Sequence, residues 1–249
     1  DVTLYERDDR IGGLLTYGIP KMKLEQEVVD RRIKVLMQEG IRFICHVEVG
    51  KDITLEQLQK EYDAVILCVG STVPRNAAIP GRENQGIHFA MDYLHTTTKR
   101  LLDPESTEET LTAEGKDVIV IGGGDTATDC VSSAIRQNCK SLVQFDIYSK
   151  RPNERSPDNP WPQFPLIHKM DTGHEEAAHV FGSDPRAFST IALSFLGDDK
   201  GHVKGIRSTQ VETMMDAYGR KSRNPIAETE KEWPAQLVLL AIGFEGTET

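Results

Sequence analysis

Three small residues, Gly122, Gly124 and Ala127, form a GxGxxA pattern within the segment VIVIGGGDTATD. An apolar run precedes the pattern and a segment of helical character follows it, which is the context of a dinucleotide-binding loop. In such a loop the first glycine permits a tight turn, the second lets the backbone approach a pyrophosphate, and the third small residue lets helix and strand pack closely. Exposed amides and the helix dipole then stabilise the anion, although an ordinary strand-to-helix turn is the alternative. The residues predicted to bind the pyrophosphate are Gly122, Gly123, Gly124, Asp125, Thr126 and Ala127.

The next predicted strand, SLVQFDIYSK, ends in a basic stretch, YSKRPNER, that contains Lys150, Arg151 and Arg155. We expect no acid at the end of that strand. An acid there would accept a hydrogen bond from a ribose 2′-hydroxyl and repel a 2′-phosphate, whereas lysine and arginine bind phosphate. The segment therefore favours NADP over NAD. The alternative is a solvated basic loop, with NADH as the cofactor.

The opening stretch DVTLYERDDRIGGLL contains a second candidate nucleotide site. Glu6 ends a short apolar run and is followed by Gly12 and Gly13. An acid at the end of the second strand of a dinucleotide-binding unit binds the adenosine ribose. Two dinucleotide sites in one chain indicate a flavin beside a nicotinamide. A surface charge is the alternative interpretation of Glu6.

The elements that must position these residues alternate between helices and strands. Thr54, followed three residues later by Gln57, predicts a capped helix over 54–62. The uninterrupted apolar run AVILCVG (64–70) predicts a strand buried on both faces. Further predicted elements are helices over 23–40 and 90–102, an antiparallel hairpin turning at GDDKG (197–201) and a buried strand over 236–244.

The composition limits the classes of function. A net charge of −10 argues against nucleic acid as a partner, and no apolar run is long enough to cross a membrane. The four cysteines form no CxxC, so neither a metal site nor a dithiol-exchange pair is predicted. We expect buried thiols in a cytoplasmic protein.

The segment GHEEAAH is similar to the zinc-protease motif HExxH, but its histidines have the wrong spacing. His174 and His179 are five residues apart, about 140° around a helix, whereas HExxH needs four. We therefore expect His168, His174 and His179 to be surface or packing residues, and we predict no metal site.

Five segments together resemble the small (beta) subunit of glutamate synthase, and equally the matching C-terminal region of the fused plant-type enzyme. They are YERDDRIGGLLTYGIPKMKL, AVILCVGSTVPR, IPGRENQGIHFAMDYL, VIVIGGGDTATDC and SPDNPWPQFP, and the likeness extends over essentially all 249 residues. GGLLTYGIP and GGGDTATD also occur in the flavin arms of dihydropyrimidine dehydrogenase and of electron-bifurcating transhydrogenases, which stay as alternatives. DNPWPQFP and HFAMDYL favour glutamate synthase.

The resemblance implies an α/β fold with two Rossmann-like dinucleotide-binding domains, glutathione-reductase-like, in which an NAD(P)H domain is inserted into an FAD domain. It implies hydride transfer from NADPH, or NADH, to FAD, and electron transfer through Fe–S clusters to an FMN on a large partner subunit that forms glutamate. Such hydride transfer depends on the alignment of two rings, so we nominate no catalytic side chain. The residues implied to contact FAD are Glu6, Gly12, Gly13 and Leu14, with Val49, Val69 and Gly70 nearby.

In that family an FAD phosphate loop, an Fe–S segment and a closing Gly-Asp motif flank the matched region and lie outside this sequence. We therefore expect an incomplete FAD domain that does not hold FAD tightly by itself. The expected divisions are a partial FAD domain over 1–107, an inserted NAD(P)H domain over 108–243 and a return to the FAD domain over 244–249. A nucleotide-binding module without redox activity is the alternative from another functional class.

Overall fold

The computed structural model describes residues 1–105, 111–215 and 221–248, and the chain divides into two compact units. Unit 1 comprises Asp1–Val73, Leu94–Glu108 and Glu245–Thr249, and unit 2 comprises Pro74–Tyr93 and Glu109–Phe244. The domain boundary expected at residues 107 and 108 lies outside the described residues.

Unit 1 contains a small parallel sheet. Its strands β1 (Thr3–Tyr5) and β2 (Arg42–Ile44) flank helices α1 (Leu14–Tyr17) and α2 (Gln26–Gln38), and α3 (Leu55–Glu61) follows. The hydroxyl of Thr54 accepts from the amide of Gln57, whose side-chain oxygen accepts from the amide of Thr54. The predicted capping box is therefore confirmed.

The remaining elements follow in chain order and belong mostly to unit 2. They are β3 (Val73–Pro74), β4 (Ile87–Phe89), α4 (Ala90–Leu102), β5 (Asp117–Ile121), α5 (Asp125–Arg136), β6 (Ser141–Phe145), α6 (Thr172–Phe181), β7 (Arg186–Ala187), β8 (Thr190–Gly197), β9 (Val203–Met215), β10 (Lys221–Pro225), β11 (Lys231–Pro234), β12 (Leu237–Leu240) and β13 (Phe244–Gly246).

Unit 2 is organised around a parallel sheet with the strand order β4, β12, β5, β6, β7. After Asp117, strand β5 is a continuous apolar run, and so is its neighbour β12, as expected for strands covered on both faces. The side chains of Val118–Val120 and Leu237–Leu240 are buried. An antiparallel sheet is attached, in which β9 pairs with β8, β10 and β11. The predicted hairpin turning at GDDKG is confirmed as the β8–β9 pair.

Asp117 connects the starts of three neighbouring strands of the parallel sheet. Its buried carboxylate accepts hydrogen bonds from Ser141 Oγ at 2.6 Å and Lys140 Nζ at 2.8 Å, and its amide donates to Gln236 Oε1 at 2.7 Å. Burial acts to raise the pKa of this carboxyl, but the hydrogen bonds from Lys140 and Ser141 outweigh burial and hold the pKa below its ordinary value. The ionised carboxylate therefore stabilises the fold above its unfolded-state pKa, and this contribution is lost as the pH falls through the lower folded-state pKa.

We expect Asp117→Asn to lower the free energy of unfolding at pH 7 by roughly 1 to 3 kcal/mol, because it removes hydrogen bonds to a charged group. The difference from wild type should begin to shrink as the pH falls below the ordinary pKa of an aspartate, because the unfolded chain then binds a proton at Asp117 while the folded carboxylate stays ionised down to its lower pKa. Urea unfolding between pH 7 and pH 3 measures both effects. Asp199→Asn, in the exposed β8–β9 turn, is the matched control, and equal losses in the two variants would contradict the assignment.

The apolar run 64–70 is not a buried strand, so that prediction is wrong. Within the described part of the chain no strand pairs with it, and Ile66, Leu67 and Val69 are 83%, 62% and 60% exposed. A buried strand needs at least one neighbouring strand to pair with and cover on both faces, and the described residues of unit 1 supply neither to this segment. The expectation of buried thiols fails here as well, because Cys68 is exposed and Cys45 is half-buried, whereas Cys130 and Cys139 are buried.

No helix in the described ranges is long and apolar enough to span a bilayer.

Candidate nucleotide-binding site

The glycine loop lies between β5 and α5, at the carboxyl end of the central strand of unit 2. β5 ends at Ile121, and α5 begins at Asp125 with Gly124 as its N-cap residue. Gly123, Gly124 and Asp125 are exposed, whereas Ala127 is completely buried. Ligands of open parallel sheets bind at this end of the strands, and the first amides of a helix have no partner inside the helix. The predicted strand, loop and helix are confirmed, and their arrangement suits an anion.

Gly122 and Gly124 contribute to the loop in different ways. Gly122 has φ of +142°, and a Cβ there would collide with the carbonyl oxygen of Ala241. Gly124 has φ of −96° and ψ of −177°, which any residue can adopt, and a Cβ there would meet no atom within 4 Å. Gly122 therefore allows the chain to turn, whereas Gly124 leaves open the space in front of α5.

The expectation that no acid follows the next strand is wrong. β6 ends at Phe145, so Asp146 is the first residue after it. Asp146 Oδ1 accepts from the amide of Tyr148 at 2.9 Å and lies 2.5 Å from the position that a Cβ on Gly123 would occupy. An acid in this place can accept a hydrogen bond from a ribose hydroxyl. The sequence-based strand extended too far, to Lys150, and so placed Asp146 in its middle.

The three predicted basic residues have different surroundings. Lys150 and Arg151 are exposed in the segment that follows Asp146. Arg155 donates to the carbonyl oxygens of Asn159 at 3.0 Å and of Gln163 at 2.9 Å, and these two hydrogen bonds stabilise the loop 155–163. Phosphate binding by Arg155 would have to compete with these two bonds.

A further cation near this segment was missed at the level of sequence. The guanidinium of Arg223, on β10, lies 5.2 Å from the ring centre of Tyr148. β10 is distant from residue 148 in the sequence, and only the fold brings the two side chains together. No local pattern could have identified this contact.

Buried polar side chains support the glycine loop from within unit 2. Gln144 Nε2 donates to the carbonyl oxygen of Gly122 at 2.8 Å, and Gln144 Oε1 lies 2.8 Å from His174 Nε2. His174 is a packing residue, in line with one of the two roles expected for it, but its polar partner was not predicted. His179 is exposed, so the two histidines of GHEEAAH do not share an environment.

In unit 1, the predicted residues at the start of the chain form a turn after β1. Glu6 follows β1 directly, and its Oε1 accepts from the amide of Asp8 at 3.1 Å. Gly12 and Gly13 have φ of +121° and +49°, and the carbonyl oxygen of Gly13 accepts from the amide of Tyr17 at 2.9 Å to start α1. A Cβ on Gly13 would meet no atom within 4 Å.

The other predicted FAD contacts of unit 1 are exposed. Leu14 is 63% exposed, Val49 and Val69 are exposed too, and Gly70 has φ of +70°. Large apolar side chains are uncovered in the same unit at Val2, Leu4, Leu15, Ile66 and Leu67. These side chains are therefore available for contact with a ligand.

Comparison with known proteins places this geometry in a family. The model of the pyridine nucleotide-disulphide oxidoreductase family matches residues 1–249. A protein of Bacillus subtilis (strain 168) named glutamate synthase [NADPH] small chain is 49% identical over 99% of this chain and 50% of its own length. A protein of Schizosaccharomyces pombe named glutamate synthase [NADH] is 48% identical over 99% of this chain and 12% of its own length. The resemblance found in the sequence is therefore confirmed, and the chain spans about half the length of the small-chain relative.

Solved structures confirm the expected α/β class of the fold. The FprA oxidoreductase of Mycobacterium tuberculosis, in complex with NADPH, superposes with a TM-score of 0.76 at 19% identity, covering 100% of this chain and 65% of that chain. Lactococcus lactis thioredoxin reductase gives a TM-score of 0.51 at 15% identity, with 98% of this chain and 69% of that chain covered. At these identities the likeness concerns the fold alone.

Proposed function

Because the chain belongs to the pyridine nucleotide-disulphide oxidoreductase family, we propose that unit 2 binds a reduced nicotinamide nucleotide at residues 122–127. The observation that carries the proposal is the open space at Gly124, in front of α5 and at the carboxyl end of β5. The amides of Gly123, Gly124 and Asp125 would bind the pyrophosphate, and the buried Ala127 keeps α5 close to the sheet. Asp125 and Thr126 are in the first turn of α5, where they would lie beside the phosphate.

The choice between NADPH and NADH depends on two features after β6. Lys150 and Arg151 are exposed and can donate to a 2′-phosphate, which favours NADPH, the nucleotide in the name of the B. subtilis relative. The Asp146 carboxylate beside Gly123 favours a free 2′-hydroxyl, as in NADH, the nucleotide in the name of the S. pombe relative. We propose NADPH, with NADH as the second candidate. Arg155 stabilises the loop that follows Arg151 through its hydrogen bond to the carbonyl oxygen of Asn159.

Unit 1 is proposed to contribute to an FAD site. Glu6, directly after β1, would accept from the adenosine ribose, and Gly13, where a Cβ would meet no atom within 4 Å, would let the backbone approach the cofactor. Gly12, where a Cβ would collide with Thr16, would hold the turn that presents Gly13 to FAD. The exposed apolar side chains of Leu14, Val49 and Val69 would pack against FAD near Gly70.

The residues of this chain bind and align the cofactors, and we assign no acid or base to them. When bound, the nicotinamide supplies a hydride and the flavin accepts it. The task of unit 2 is to hold the nucleotide at its pyrophosphate and ribose so that the ring is correctly placed.

We propose that the complete protein is the electron-input part of a glutamate synthase. Its partner would be a large subunit, or a fused large region, that carries FMN and Fe–S clusters and converts glutamine and 2-oxoglutarate into glutamate. The support is the identity of nearly half over the whole of this chain with relatives that carry this name. Flavin arms of related oxidoreductases and a non-redox nucleotide-binding module are the competing candidates.

The test uses the complete protein that contains this chain, together with its large subunit or region. We expect NADPH oxidation that requires both glutamine and 2-oxoglutarate and yields two glutamates per NADPH. Oxidation of NADPH by an artificial acceptor, with no glutamate formed and no NADPH oxidation when glutamine and 2-oxoglutarate replace that acceptor, would reject the glutamate assignment while keeping the oxidoreductase. No oxidation with either nucleotide would favour the non-redox module.

A further inference from the structure

The orientation of the Gly122–Gly123 peptide decides whether the N–H of Gly123, within the glycine loop, can donate a hydrogen bond to an anion. A trans peptide is planar, so its C=O and N–H point in opposite directions. The Gly122 oxygen accepts from Gln144 Nε2 at 2.8 Å. The N–H of Gly123 belongs to the same peptide and therefore points away from Gln144, and Gly123 is exposed.

This peptide lies between two glycines, so little else holds it in place. Without a Cβ on either side, the backbone can reach conformations of positive and negative φ at low cost. A reversed peptide would present the carbonyl oxygen of Gly122 in place of the N–H of Gly123. An oxygen in that position would repel a pyrophosphate. The hydrogen bond from Gln144 thus selects the conformation that binds an anion.

His174 determines which way the amide of Gln144 faces. The amide of Asp171 donates to His174 Nδ1 at 3.3 Å, so the proton of a neutral ring is on Nε2. His174 Nε2 then donates to Gln144 Oε1 at 2.8 Å, so the NH₂ group of Gln144 faces the carbonyl oxygen of Gly122. Both side chains are buried, where water does not compete for these bonds.

Helix α6, which carries His174, is fixed against α5 on both sides of that residue. A Cβ on Gly173 would collide with Ser132 Oγ, so only glycine permits this close approach. Glu176 accepts two hydrogen bonds from Arg136, at 2.5 and 2.7 Å. The segment GHEEA is thus a docking element, which brings His174 to the strand behind the glycine loop.

We infer that Gln144 and His174 are positioning residues for the nucleotide: they hold the Gly122–Gly123 peptide with its N–H toward the pyrophosphate. This inference rests on the proposed function, since it requires a nucleotide at the loop. Neither side chain touches the ligand, and both act through the backbone.

The test compares variants of the complete, FAD-loaded protein by calorimetric titration. Wild type is titrated with NADPH and with NADH, and the variants are then titrated with the nucleotide that wild type binds more tightly. Gln144→Met, which keeps the size but not the hydrogen bonds, should raise the Kd about tenfold, as should His174→Met. His174→Gln, which keeps an N–H donor, should restore at least half of that loss on a logarithmic scale. His179→Met, on the exposed face of α6, is the matched control.

A kinetic readout separates positioning from general damage. At saturating nucleotide, the rate of flavin reduction in Gln144→Met should stay within about twofold of wild type, because only binding depends on the peptide. A lower unfolding midpoint with an unchanged Kd would overturn the inference and leave the pair a structural role. A wild-type protein that binds neither nucleotide would instead overturn the proposed function.

Discussion

Replacement of Gly124 by valine is expected to weaken nucleotide binding strongly while leaving the fold intact. The backbone at this position suits any residue, and the space beyond the missing Cβ contains no protein atom within 4 Å. A branched side chain there would occupy the place where a pyrophosphate meets the start of α5. We expect the Kd for the nucleotide to rise at least about thirtyfold, with a change in unfolding free energy of about 1 kcal/mol or less. Calorimetric titration and urea unfolding of the complete protein measure the two quantities.

The matched control for this variant is Gly246→Val. Gly246 also has open space where a Cβ would point, but it lies in β13 and outside unit 2. Nucleotide affinity should be unchanged in this variant. A Gly124→Val protein that binds NADPH as tightly as wild type would place the pyrophosphate elsewhere. A Gly124→Ala protein should fall between wild type and Gly124→Val.

Removal of the two exposed basic residues should abolish a preference for NADPH. In the double variant Lys150→Gln, Arg151→Gln, we expect the Kd for NADPH to rise roughly tenfold to a hundredfold, because two charge-assisted contacts to the 2′-phosphate are lost. The Kd for NADH should change by less than about twofold, since NADH carries no phosphate there. The preference is measured as the ratio of the Kd for NADH to the Kd for NADPH, with both constants determined at the same ionic strength.

The control for charge is Arg31→Gln, Lys34→Gln, a double variant on the exposed face of α2 in unit 1. It removes the same two charges and should leave both affinities unaltered. An equal rise in the Kd for NADPH and for NADH in the Lys150, Arg151 variant would mean that these side chains contact a part that both nucleotides share and not the 2′-phosphate. No weakening of either would make the segment a solvated surface and assign selectivity to Asp146.

The local features of this protein could be predicted because their causes are local. The turn at Gly122, the N-cap role of Thr54 and the apolar strands of unit 2 each depend on residues within a few positions of one another. Such patterns specify strand, loop and helix without knowledge of the rest of the fold. The glycine loop was therefore recognisable from VIVIGGGDTATD alone.

The features that were not predicted depend on distant neighbours. The run 64–70 has the composition of a buried strand, yet a strand forms only where other strands pair with it, and composition does not reveal whether they do. The position of Asp146 depended on where β6 ends, and strand ends are the least certain part of a sequence-based assignment. The contact of Gln144 with His174 joins β6 to α6 across a long loop, so no spacing rule could find it.

The most direct test of the central claim is an anaerobic titration of the complete, FAD-loaded protein with NADPH and, separately, with NADH, following the absorbance of the oxidised flavin. The account predicts rapid bleaching by NADPH in wild type and slower bleaching by NADH. It also predicts that Gly124→Val needs a much higher concentration of NADPH for the same rate. Absence of bleaching by both nucleotides in a protein that retains its flavin would contradict the assignment of this chain as an electron-input oxidoreductase.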